Sequence, residues 1–156
     1  MRTRFLTGTL GAVAAMALAV GVVSAQPQKT NPRFGRWKLK QPPPALNIMT
    51  YEPYGDGGMR ITVDSTSKDG RKSSWTYVTM FDGKDEPVTG NPGSDTAAVR
   101  VINEHVNEIV YKKNGKVTQV LNNVLSDDGD RLEIDYKRTG PDGKPIVTHA
   151  TYERIK

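Results

Sequence analysis

The chain has 156 residues, 36% hydrophobic and 25% charged, with 22 basic against 17 acidic side chains and a formal net charge of +5. It contains no cysteine, which excludes disulfides, thiolate metal sites, cysteine nucleophiles and a lipid-modified cysteine behind a leader. The basic excess is mild and scattered, with no basic block interleaved with aromatics of the kind that tracks a phosphate backbone, so no nucleic-acid partner is expected.

The N-terminus comes in three parts. Arg2 and Arg4 make a positive start, Phe5 to Val23 is apolar apart from Thr and Gly, and Val23-Ser24-Ala25 supplies the small residues that a signal peptidase reads. That order predicts a cleavable signal peptide over 1–25, cut after Ala25, and hence a periplasmic or secreted protein. An uncleaved anchor is the alternative, because the run approaches the ~18-residue spanning threshold, but Gly8, Gly11 and Gly21 dilute it. No stable membrane span is expected after cleavage. The remaining 131 residues suit one domain with a core of its own. Residues 26–33, polar and holding Pro27 and Pro32, read as a flexible lead-in. Residues 34–156 read as a single β-barrel domain.

Phe34 to Lys40 alternates as a strand, and Gln41-Pro42-Pro43-Pro44 stops it, since prolines donate nothing to a ladder. Turn dipeptides then recur at Asp56-Gly57, Asp69-Gly70, Asp82-Gly83, Asn114-Gly115, Asp128-Gly129 and Asp142-Gly143. Such pairs tolerate the positive φ of tight hairpins. Between them lie runs of strand length: 47–52, 59–65, 73–81, 96–103, 106–112, 117–125, 131–138 and 145–155. Gly83 to Asp95, with Pro87, Gly90 and Asn91-Pro92-Gly93, reads as a long loop. The fold class is therefore all-β, an antiparallel up-and-down meander of about eight to ten strands. Closing into a barrel is the simplest way for such a meander to remove its edges.

Alternation assigns faces. Met59, Ile61 and Val63 share a side, as do Leu132, Ile134 and Tyr136, opposite Arg131, Glu133, Asp135 and Lys137. Trp75, Tyr77, Thr79 and Phe81 share a side, with Val78 and Met80 opposite. The strand of Trp75 and the strand 117–125 carry apolar groups on both faces, which predicts cover on the outside as well.

Gly35-Arg36-Trp37 opens the first strand and Arg154 lies in the last. This resembles the calycin group, the lipocalins and fatty-acid-binding proteins, which begin with a Gly-x-Trp strand and end with a basic residue near that Trp. The resemblance implies a closed calycin-like barrel in which Trp37 plugs one end and Arg154 packs across its ring, with Gly35, Trp37 and Arg154 structural. It departs from the fatty-acid-binding pattern in two places. Pro42 to Pro44 stand in place of a helical lid, and Ala150 stands where an Arg would join Tyr152 in holding a carboxylate. The whole mature domain also resembles a group of uncharacterised secreted bacterial proteins with Asp-Gly-Lys-x-x-Pro-Val-Thr-Gly, here Asp82 to Gly90.

No catalytic constellation is visible. His105 reads as a solvated turn residue, and His149, in the last strand, as a candidate hydrogen bonder to a ligand. Asp127-Asp128-Gly129-Asp130 lacks calcium-loop spacing and reads as a hairpin turn. Glu104 and Glu108 read as exposed charges, and no serine sits in a nucleophile elbow. No metal and no cofactor are expected. If the barrel closes, its aromatics suit a small apolar or amphipathic molecule. The expected lining is Trp75, Tyr77, Met80, Tyr136, His149 and Tyr152. The leading reading is an exported, non-enzymatic binding protein of lipocalin-like type for a small hydrophobic ligand. Its alternative is a structural or protein-interaction module of the cell envelope with a solid barrel core, using its outer face or the 83–95 loop.

Overall fold

The β-branched and aromatic runs between the turn dipeptides become strands because only a pleated, half-buried surface sorts their alternating side chains. The computed structural model describes residues 30–43 and 45–156; the expected signal peptide lies outside them, as do 26–29 of the lead-in. Ten strands follow in order: β1 (Gly35–Leu39), β2 (Leu46–Tyr54), β3 (Gly58–Thr66), β4 (Lys72–Thr79), β5 (Asp82–Pro87), β6 (Thr96–Val101), β7 (Val106–Lys113), β8 (Lys116–Leu125), β9 (Arg131–Thr139) and β10 (Pro145–Ile155). They form one antiparallel sheet ordered β4-β3-β2-β1-β10-β9-β8-β7-β6-β5. Each strand pairs with its sequence neighbours except that β4 and β5 share no ladder. The first and last strands pair with each other, Trp37 opposite Arg154. The sheet ends at β4 and β5, and among the described residues the two edges are hydrogen-bonded through the bridge Thr76–Thr89, just beyond β5. The result is a nearly closed barrel with one seam.

The hairpin expectation holds at most dipeptides. Asn114 and Gly115 both take positive φ, 49° and 73°, the pattern of a tight two-residue turn between β7 and β8. Asp82-Gly83 differs. There Phe81 takes φ 60°, and the pair begins β5 beside a register shift rather than capping a hairpin. The expected long loop over 83–95 is thus partly strand, and its remainder is tied down. The Val88 amide donates to the Asp95 carbonyl at 2.9 Å, and Thr89 exchanges two backbone bonds with Thr76. The residues here are polar and charged because β5 is an edge strand with little to bury.

One barrel end is plugged. Trp37 is 0% exposed and its Nε1 donates to the Arg33 carbonyl at 2.9 Å. The Arg154 guanidinium lies 4.1 Å from the Trp37 ring centroid and donates to the carbonyls of Pro32, Phe34 and Gly129. A Cβ on Gly35 would stand 2.8 Å from Arg154 Nη1, so the glycine makes room for the guanidinium. Arg33, expected in a flexible lead-in, is instead buried, its Nη2 donating to the carbonyls of His105 and Asn123. A buried guanidinium needs those carbonyls, and they anchor the chain at Arg33. The faces follow the expected alternation on β3, β4 and β9, with Met59, Ile61, Val63, Tyr77, Leu132 and Ile134 buried inside. Outside, the expected cover is missing: Val117, Val124 and Met80 are exposed.

Candidate functional site

The barrel core is not completely filled. A cavity of about 190 Å³ runs from Asn91 and Ser94 at the unplugged end down to Asn123. Inward positions of β2, β3, β4, β7, β8, β9 and β10 form its wall. No charged side chain lines it. Trp75 and Tyr77 stack with ring centroids 5.9 Å apart, and Tyr111 stands edge-on to both. These three rings, with Tyr51, Tyr136 and Tyr152, make the wall aromatic and hydroxyl-bearing.

The hydroxyls are mostly engaged with one another or with amides. Tyr111 Oη donates to Tyr77 Oη at 3.4 Å, and Tyr152 Oη donates to Asn47 Oδ1 at 3.3 Å. Asn47 Nδ2 in turn donates to Ser65 Oγ at 2.9 Å. Tyr51 Oη donates to Met49 Sδ and accepts from Asn123 Nδ2 at 3.2 Å. Burial penalises the phenolate, so it pushes the Tyr77 phenol up to about 12 and raises those of Tyr51, Tyr111, Tyr136 and Tyr152 as well. The site is therefore neutral and stays neutral across the physiological range. It offers stacking faces, hydroxyls and amides.

Asn123 stands out. It is 2% exposed and its Oδ1 has no hydrogen-bond partner. A buried amide oxygen left unpaired carries its full desolvation cost.

Four of the six residues expected to line a ligand do line the cavity: Trp75, Tyr77, Tyr136 and Tyr152. Two lie outside it. Met80 follows β4 on the outer side, 42% exposed, its Sδ close to where a Gly58 side chain would be. Its opposite parity from Trp75 and Tyr77 already placed it outward. His149 also faces out, with a side chain 57% exposed. Its Nδ1 and Nε2 each lie 2.9 Å from a carboxylate oxygen, of Asp135 and Glu133 respectively. Those two partners raise its pKa. On β10 it has opposite parity to Tyr152, so the two could not share a face.

Sequence reasoning passed over Tyr51, Asn47 and Asn123, and it left Tyr111 out of the lining. A usable signal existed for Asn123: Gln119, Leu121, Asn123 and Leu125 fall on one face of β8, where an amide between two leucines marks a polar position in an apolar wall. Tyr51 carried no such mark, because the face of β2 is set by its pairing with β1 and β3.

No family model matches the chain, and no curated protein matches it. A solved structure, that of EF1p2_mFAP2b bound to DFHBI, is 14% identical, with 80% of this chain and 94% of that chain covered and a TM-score of 0.44.

Proposed function

We propose that this chain is an exported, non-enzymatic binding protein that takes a small, neutral, flat apolar molecule into its barrel. The observation that carries the reading is the aromatic cavity of about 190 Å³ with its hydroxyls and amides. An apolar cavity of about 150 Å³ is already large enough for a benzene ring. This one would accept a ring with a short substituent or a fused pair of rings. Ring stacking on Trp75, Tyr77 and Tyr111 would supply contact area, and the surrounding polar atoms would orient the guest. Gly35, Trp37 and Arg154 support the calycin-like part of the reading, since the guanidinium lies over the ring as that resemblance implies. The uncharged wall and Ala150 argue against a fatty acid held by its carboxylate inside the barrel.

Expression of the full chain in a bacterium, followed by fractionation and native mass spectrometry without detergent, tests both halves. A periplasmic product beginning at Gln26 supports export; a cytoplasmic product beginning at Met1 overturns it. A stoichiometric small molecule released on denaturation supports binding. A bare protein mass that takes up nothing from a library of small aromatics overturns the binding reading.

A further inference from the structure

We infer that Gln119 is the specificity-determining residue of this cavity, and that the guest enters ring first and leaves a neutral donor–acceptor group, in its simplest form a carboxamide, at the mouth. The inference rests on the binding reading above and goes on to name the guest's chemical class and orientation.

Strand pairing places Gln119. It stands directly opposite Tyr111 in the β7–β8 ladder, and Tyr111 is buried among the cavity rings, so Gln119 faces inward with it. It lies toward the start of β8, at the unplugged end, whereas Asn123 lies toward the other end of the same strand.

The polar atoms of the wall divide by depth. At the inner end they are spent or sealed. Asn123 Nδ2 donates to Tyr51 Oη, whose own proton goes to Met49 Sδ, and Asn123 Oδ1 is unpaired but wholly buried. The Arg33 guanidinium, its Nη2 on the carbonyls of His105 and Asn123, is not part of the lining. Higher up, Tyr111 donates to Tyr77 and Tyr152 to Asn47. The Gln119 carboxamide has no hydrogen-bond partner among the described residues, yet the side chain is half-buried and is not one of the sealed, unpaired groups. Both its oxygen and its NH₂ are therefore open to water or to a guest.

That order of polarity sets how a guest lies. A ring inserted first covers the apolar wall of Ile109, Leu121 and Ile134, deeper than Gln119, and packs against the aromatic rings. A polar group that follows the ring comes to rest beside Gln119. A carboxamide is the fullest match, because it donates and accepts from adjacent atoms, as the glutamine side chain does. The pair takes over bonds that water makes in the empty site. A carboxylate meets no cation on the lining. At about 190 Å³ the cavity admits one six-membered ring with such a group attached. The chemical class is a small neutral aromatic carboxamide.

Three molecules of nearly one shape separate the possibilities: benzamide, which donates and accepts; acetophenone, which only accepts; and α-methylstyrene, which does neither. Affinities are read by two-dimensional amide NMR titration of the purified protein, which locates each guest as well as ranking it. Because the hydrocarbon gains most simply by leaving water, the readout is the ratio of benzamide to α-methylstyrene affinity, compared between the unaltered protein and Gln119→Met. That ratio is expected to fall roughly two- to tenfold in the variant, with the amides around Gln119 and Tyr111 among those that benzamide shifts most in the unaltered protein. Gln119→Glu keeps the shape and the acceptor but loses the donor, and serves should the methionine variant not fold. It is expected to weaken acetophenone relative to benzamide by a similar factor. An unchanged ratio, or equal weakening of all three guests, overturns the inference, because Gln119 would then only pack. Uptake of α-methylstyrene without benzamide by the unaltered protein overturns it also, and in each of these cases the binding reading stands. Binding of none of the three overturns both.

Discussion

Arg154 holds three backbone carbonyls from two separate segments of the chain while lying over Trp37. A planar guanidinium can aim donors in those directions; an ammonium on a flexible stem cannot. Arg154→Ala should lower stability by about 2–4 kcal/mol. Arg154→Lys should recover less than half of that, as measured by chemical denaturation. His149 makes a different kind of contribution. Asp135 and Glu133 raise its pKa above the ordinary 6.5, so the folded state holds its proton more tightly than the unfolded chain does. The stabilisation is complete below about pH 6.5, while both carboxylates remain ionised, and is lost as pH rises through the raised value. His149→Gln should therefore destabilise the protein at pH 6 and matter less at pH 9. Equal effects at the two values would show that the proton plays no part. Being wholly on the outside, the substitution should leave guest affinity unchanged.

The weakest element boundary is the seam. β4 and β5 are joined through residues 80 and 81 yet share no ladder, and one bridge at Thr76–Thr89 spans the gap. Gly90 makes that bridge possible. It takes φ 85°, and a Cβ there would fall 2.5 Å from the Ser74 carbonyl oxygen, which is backbone and cannot turn aside. Gly90→Ala should cost about 1–3 kcal/mol and loosen the bridge. Amide exchange should report it locally. In the unaltered protein the Thr76 and Thr89 amides should exchange faster than those of β8 and β9, which are paired on both sides. In Gly90→Ala those two amides should lose protection before any others. Uniform loss across the barrel would mean that the seam is not a separate unit of stability.

At the scale of the molecule, closure depends on the ends of the chain. All four residue pairs between β1 and β10 use Tyr152 to Ile155. Deleting Tyr152 to Lys156 removes that ladder, the Arg154 cap and one cavity tyrosine in a single step. It opens two new edges in a protein whose one existing seam is already weakly joined. The truncated chain should lose its cooperative thermal transition and aggregate on expression, whereas deleting Lys156 alone should change little. Folding itself should be slow for the protein's size, in milliseconds to seconds, because the β1–β10 contact joins residues more than a hundred positions apart.

Turn dipeptides and two-residue alternation determine most of the architecture, because both act through local backbone geometry that a single strand or hairpin already expresses. That physics made nine of the ten strands, their meander order and the inward sides of Trp75, Tyr77, Tyr136 and Tyr152 legible without a structure. The polar strand β5 was not legible, since its existence depends on pairing with β6 rather than on any apolar pattern of its own. Nor was the fixing of Arg33, which takes its carbonyl partners from residues 72 and 90 positions away. The cavity belongs wholly to the tertiary structure. Whether inward rings fill a barrel or leave space depends on how seven strands set their side chains against one another, and only that arrangement leaves the Asn123 side-chain oxygen buried without a partner.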